Sequence, residues 1–199
     1  MALSKIDAAN FLTGTIPQGN VANASLGAVT ALPGAIATGK ILQVVQTSMD
    51  SVISQSCNVG TRYDVTGLSA SITPSSSSNK VLVHSSINFN NAAGEGFKGY
   101  LVRGSTDIGV STAASSSTAT FPLGTMANSN NYWLNTTGGF VLDTPSTTSA
   151  TTYKIQMEVL STTYTIFINK PARNTSGDVA VPSFITLFEV AAWYIILYI

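Results

Sequence analysis

His84 is the one histidine of the 199-residue chain, so any proton relay through an imidazole has to use it. A Ser-His-Asp relay would also need an acid such as Asp107 or Asp143 and an exposed serine. Serine and threonine number 25 each, so a hydroxyl lies near any position and its presence carries no information. No Gly-x-Ser-x-Gly elbow occurs. Without an orienting acid, His84 reads as a structural or surface residue. The spacing Gly94-Glu-Gly-Phe-Lys-Gly99 satisfies a dinucleotide-binding pattern, but that mechanism needs a helix to open after the glycines. Here Tyr100-Leu-Val-Arg103 reads as a strand, so a glycine-rich hairpin connection is the better reading. Cys57 is alone, which leaves no internal disulfide and no cysteine-based zinc site; it reads as a small, half-buried apolar residue.

The stretch Asn128-Ser-Asn-Asn-Tyr-Trp133 has a different chemistry. Asn130, Asn131, Tyr132 and Trp133 combine flat apolar rings with amide donors and acceptors, the combination that recognises sugars. The same residues could start a strand with Trp133 turned into the core, and the area a large aromatic buries favours that reading.

The elements that must position these residues are strands. Val81, Val83, Ile87 and Phe89 alternate with Leu82, His84, Ser86 and Asn88; Tyr153, Ile155, Met157 and Val159 alternate with Lys154, Gln156 and Glu158. Further strands are expected over 41–48, 65–73, 98–103, 138–143, 163–169 and 183–191. Turn formers separate them, as in Thr73-Pro-Ser-Ser-Ser-Ser-Asn79 and Asp143-Thr-Pro-Ser146. The pattern predicts an all-β fold, an antiparallel β-sandwich of jelly-roll type, with an extended N-terminal arm. Residues 1–40 form that arm: small and polar residues with isolated aliphatics, too little apolar surface to offset their own ordering entropy. Residues 41–192 form the sandwich. Residues 193–199 are an apolar C-terminal strand, far shorter than a membrane span needs.

An arm of this kind becomes ordered along something else, which makes Phe11, Leu12, Ile16, Leu26 and Leu32 candidate assembly contacts. Trp193, Tyr194, Ile195, Ile196, Leu197 and Tyr198 are candidates for the same reason, since an exposed uncharged β segment without proline is prone to aggregate.

Composition narrows the function. Nine Lys and Arg balance nine Asp and Glu, charged residues make up 9% of the chain, and the net charge is zero. Ordinary soluble domains carry about 25%. This leaves no electrostatic footprint for nucleic acid and few acids for a metal cage or an acid–base pair. No catalytic, cofactor-binding or metal-binding residues are expected, and the chain does not read as an enzyme. Its first residues lack the basic and apolar regions of a signal peptide.

Several segments resemble tail-fibre-like and other virion structural proteins of marine bacteriophages, cyanophages especially. The resemblance lies in Met1-Ala-Leu-Ser-Lys-Ile, in Asn23-Ala-Ser-Leu-Gly-Ala-Val-Thr-Ala-Leu-Pro and in Gly39-Lys-Ile-Leu-Gln-Val-Val-Gln46. It continues in Val65-Thr-Gly-Leu-Ser-Ala-Ser-Ile-Thr-Pro-Ser75, Tyr100-Leu-Val-Arg-Gly-Ser-Thr106 and Asp143-Thr-Pro-Ser-Thr-Thr-Ser-Ala-Thr-Thr-Tyr153. It implies a non-enzymatic β-sandwich head behind a virion-attachment arm, a homotrimeric state, other virion proteins as partners, and a place on the particle surface. A fibre or appendage knob that contacts a host-surface glycan is the leading reading; a capsid decoration protein that stabilises the shell is the alternative. The apolar tail after Ala192 departs from the pattern.

Overall fold

The computed structural model describes residues 41–91, 96–111, 132–173 and 175–192. Ten strands lie among them: β1 (Ile41–Met49), β2 (Ile53–Cys57), β3 (Tyr63–Ile72), β4 (Lys80–Asn90), β5 (Phe97–Arg103), β6 (Thr106–Ile108), β7 (Asn135–Asp143), β8 (Thr151–Val159), β9 (Tyr164–Ile168) and β10 (Ser183–Val190). The eight expected strands are all present. The sequence reading missed β2, a short Ser/Gln segment, and the three-residue β6.

The strands form two antiparallel sheets. One is four-stranded, in the order β3-β8-β5-β6. The other is six-stranded: it pairs β1-β10-β4-β9-β2, and β7 also pairs with β4. Val83 faces Leu187 of β10 and Val141 of β7, so those strands flank β4 on opposite edges. Phe89 faces both Asn135 of β7 and Ile168 of β9. β9 therefore shares the β10 edge and continues its lane, as β2 continues the lane of β1 by pairing with β9. The sheet thus has four lanes, β1/β2, β10/β9, β4 and β7. Set against β3-β8-β5-β6, this is the strand order of a jelly roll.

Period-two alternation drives the stacking. Val81, Val83, Ile87 and Phe89 turn inward from β4, Ile185 and Leu187 from β10, and Tyr153, Ile155, Met157 and Val159 from β8, all into one core. Phe89 and Phe97 meet edge to face across it, 4.4 Å between ring centroids. Cys57 belongs to this core and is fully buried, deeper than the half-buried setting its type suggested. Burial pushes its thiol up to about 11, so it stays protonated at neutral pH.

The register gives the sandwich two distinct ends. Ile41 faces Val190, which faces Lys80, and the next residue of β4, Val81, faces Asp143. The start of β1 and the end of β10 therefore lie together at one end, the proximal end. Met49, Ser183, Phe89 and Asn135 mark the other direction, called distal.

The proximal end is tied by acids turned inward. Glu189 is 1% exposed. Its Oε1 accepts from the Ser75 amide (2.6 Å), Ser75 Oγ (2.7 Å) and Asn79 Nδ2 (2.6 Å), and its Oε2 from Gln43 Nε2 (2.6 Å). Burial alone would raise this carboxyl, but the bonds from Ser75, Asn79 and Gln43 together hold it below its ordinary value. Close by, Asp143 binds Arg103 Nη1 through both oxygens (2.8 and 2.7 Å) and accepts from the Tyr153 hydroxyl (2.7 Å). Desolvation and this bond push the Tyr153 phenol far up.

Candidate contact site at the distal end

The distal end rests on buried amides. Asn169 follows β9 with a positive φ of 64°, a conformation asparagine tolerates better than most residues. Its backbone N–H donates to the Asn88 carbonyl (2.8 Å), and its Nδ2 donates to the carbonyls of Met49 (2.5 Å) and Ser51 (2.9 Å), bridging the break between β1 and β2. Its Oδ1 accepts from Ser183 Oγ (2.6 Å), which in turn accepts from the Asn88 amide (2.8 Å). Asn88 Nδ2 closes the circuit on the Pro182 carbonyl (2.8 Å), and its Oδ1 accepts from Thr136. Asn88, Asn169 and Ser183 are all buried. Such a network holds one geometry because every lost bond would leave a desolvated polar atom.

This network holds Asn169 and Pro182, the two ends of the connection from β9 to β10, against Asn88 and Thr136. Asn90 Nδ2 donates to the Trp133 carbonyl, anchoring the backbone there. The side chains of Tyr132 and Trp133 stand outward, 59% and 67% exposed. The inward, core-filling orientation favoured for Trp133 is therefore wrong: the half-buried, inward positions of this lane begin after it, and its backbone is held while its ring is left out. The Arg173 guanidinium lies 4.4 Å over the Tyr132 ring. Asp178 holds that guanidinium in place through Nε (2.6 Å) and Nη2 (2.5 Å), and itself accepts from the Thr175 amide (2.7 Å). Bonding from Arg173 first, then from Thr175, draws the Asp178 carboxyl below its usual range.

The result is an indole and a phenol ring exposed side by side in the chain, with a fixed cation over the phenol. Rings of this kind stack on apolar faces and cations. Sequence reasoning missed Arg173, Asp178 and Asn169. Their one signal was the turn composition of Asn169-Lys-Pro-Ala-Arg173, which marks a loop without saying what the loop approaches. Asn130 and Asn131, expected beside Trp133, lie outside the described residues. So do the arm residues Phe11, Leu12, Ile16, Leu26 and Leu32 and the tail residues Trp193 to Tyr198.

The other sequence candidates are dispersed. His84 is on the outer face of the six-stranded sheet, stacked on Phe140 at 4.0 Å and edge-on to Phe184 at 5.2 Å. Asp107 is on β6 of the opposite sheet, paired with Arg62 at 2.7 Å, and Asp143 is held by Arg103 and Tyr153. No relay is assembled from these three. Phe97–Arg103 is strand β5, which Gly96 precedes and Gly99 lies within; a strand follows as expected, but β4 and β5 belong to different sheets, so they are not joined as the hairpin the glycines suggested. Among the described residues no group of three or more His, Cys, Asp or Glu could hold a metal, and no helix is long and apolar enough to cross a membrane.

No family model matches the chain, and no curated protein matches it. Among solved structures it is similar to one of infectious bursal disease virus, Gt strain, at 14% identity and a TM-score of 0.39, over 76% of this chain and 38% of that one. It is also similar to the crystal structure of the VP2 subviral particle of the same virus, at 13% identity and a TM-score of 0.35, again over 76% of this chain and 38% of the other. The chain spans well under half the length of the chains it resembles.

Proposed function

We propose that the protein is a structural component of a virus particle, a fibre or appendage knob of a bacteriophage as its sequence resemblance implies. In this reading residues 1–40 attach it to other virion proteins, and Tyr132 and Trp133 meet a host-surface glycan. One observation carries it: the start of β1 and the end of β10, Ile41 and Val190, lie side by side at the proximal end, while the exposed rings stand at the distal end. An attached head with a contact site needs that separation. The indole of Trp133 supplies a stacking surface for a sugar ring, and Arg173 supplies donors held in a fixed direction.

Trp133→Ala tests this directly. The ring is exposed, so folding should persist, seen as an unchanged thermal transition. Binding of the full chain to host-envelope polysaccharide should weaken at least about tenfold, as for the loss of a stacking anchor. Undiminished binding by the folded variant would sink the glycan reading. The second reading, a capsid decoration protein, is favoured by a different observation, the exposure of Val44, Phe140 and Leu142 on the outer face of the six-stranded sheet. It expects particles lacking the protein to disrupt at lower temperature, and particles that remain equally stable would remove it.

A further inference from the structure

The outer face of the six-stranded sheet is built in cross-strand rows. Val44, Phe188, Leu82 and Leu142 form one row across β1, β10, β4 and β7. Gln46, Thr186, His84 and Phe140 form the next, and Ser48, Phe184, Ser86 and Gly138 the third. None of these twelve positions is an Asp, Glu, Lys or Arg. Phe140 is 62% exposed, and Val44 and Leu142 are each more than half exposed, with Ile41 and Leu42 continuing the apolar surface at the proximal margin. Apolar side chains contiguous over four strands exceed the scattered exposure usual on a monomer.

We infer that this face packs against the same face of a second copy of the chain. Scarcity of charge is the first argument: apart from Lys80 at the proximal margin, bonded to Thr144, the face offers nothing to steer an oppositely charged partner, and nothing that repels its own copy. Size is the second. Four lanes about 4.8 Å apart and eight residues at about 3.4 Å project roughly 500 Å². Side-chain relief raises the accessible area towards the ~800 Å² per partner of a standard interface. Symmetry is the third. A two-fold axis parallel to the strands, between β10 and β4, lays Val44 over the partner's Leu142 and Phe188 over the partner's Leu82. Apolar groups then meet apolar groups at both ends of the row, which an isologous contact requires. The arrangement is a sheet-on-sheet packing of the kind that already forms the core of each subunit. It is two-fold, unlike the trimer implied by the sequence resemblance, and it does not depend on the virion reading.

Light scattering on the full chain tests it. The expected mass is twice the 20.7 kDa of one chain. Val44→Asp and Phe140→Asp, on opposite edges of the face, should each raise the dissociation constant at least about tenfold, since each places an unpaired carboxylate in the contact. Ser69→Asp, on the opposite sheet, serves as the control and should leave the mass unchanged. Circular dichroism and melting of each variant establish that the fold is kept. A monomer at about 100 μM, or an assembly of any size that survives both Val44→Asp and Phe140→Asp, overturns the inference.

Discussion

The two sheets share one core and present opposite exteriors. On the four-stranded sheet the outer side is laced with charge. Arg62 pairs with Asp107 (2.7 Å), Lys98 with Glu158 (3.2 Å) and Lys154 with Asp64 (2.9 Å). Arg62 also covers the Tyr100 ring at 3.6 Å from its centroid, and burial together with the bond to Glu158 pushes that phenol up to about 12. On the six-stranded sheet the acids Asp143 and Glu189 turn inward and are consumed at the proximal end. Lys80 stays at its margin, bonded to Thr144 at 3.2 Å. Alternation requires only that one side of each strand be apolar, so the fold leaves the outer sides free to differ. That they differ this sharply reflects what each side faces: water on one side, another surface on the other.

The most damaging break is at Gly138, on β7 at the edge of the apolar face. A Cβ there would sit 1.9 Å from the Ser85 carbonyl oxygen, so Gly138→Ala must push β7 away from β4. A loss of about 3 kcal/mol is expected from such a backbone clash, read as a lowered denaturant midpoint; an unchanged midpoint would mean that β7 is not seated on β4 in solution.

Glu189→Gln comes next, because it replaces an acceptor of four donors with a group that must offer two hydrogens of its own. Removing the charge should cost about 2 kcal/mol at neutral pH. The pH dependence sharpens this. The folded carboxyl titrates below its ordinary 4.5, so its stabilisation is present above that value and is lost as pH falls through the folded pKa. Urea unfolding from neutral pH to about pH 3 should therefore show a shallower acid-side decline in the glutamine variant; parallel declines would mean that Glu189 contributes nothing to it.

The smallest effect belongs to the charged face. A double-mutant cycle on Lys154 and Asp64 should yield a coupling of ~0.5 kcal/mol that fades with added salt. A salt-insensitive coupling of several times that size would show this side to be covered as well.

The inner architecture was legible because burial on one side imprints alternation, as in β4 and β8. Where burial changes no pattern, the sequence is silent. Ser54 and Ser56 surround Gln55 in β2, which has too few apolar residues to announce a strand, yet β9 gives it a partner. Phe140 and Leu142 in β7, and Phe184 and Phe188 in β10, look like residues of strands buried on both sides; that their outer side is uncovered depends on tertiary placement. Trp133 shows the same limit from the other direction, since ring size argues for the core and only the anchoring of its backbone by Asn90 leaves it outside. The asparagines of the distal network could be read as turn formers, but their joint burial ties together segments far apart in the chain, as Asn169 is tied to Met49.

The antiparallel pairing of β1 with β10 also sets how the sandwich carries mechanical force. Ile41 and Val190 are adjacent at the same end, so tension applied between these two residues would peel the hydrogen bonds of the pair apart one after another, as a zipper opens. Tension applied between Ile41 and the distal rings acts along β1 instead, and loads the bonds from Gln43 to Met49 together in shear. The same strand pair is thus weak in one pulling direction and strong in the other, and the strong direction is the one that runs from the proximal to the distal end.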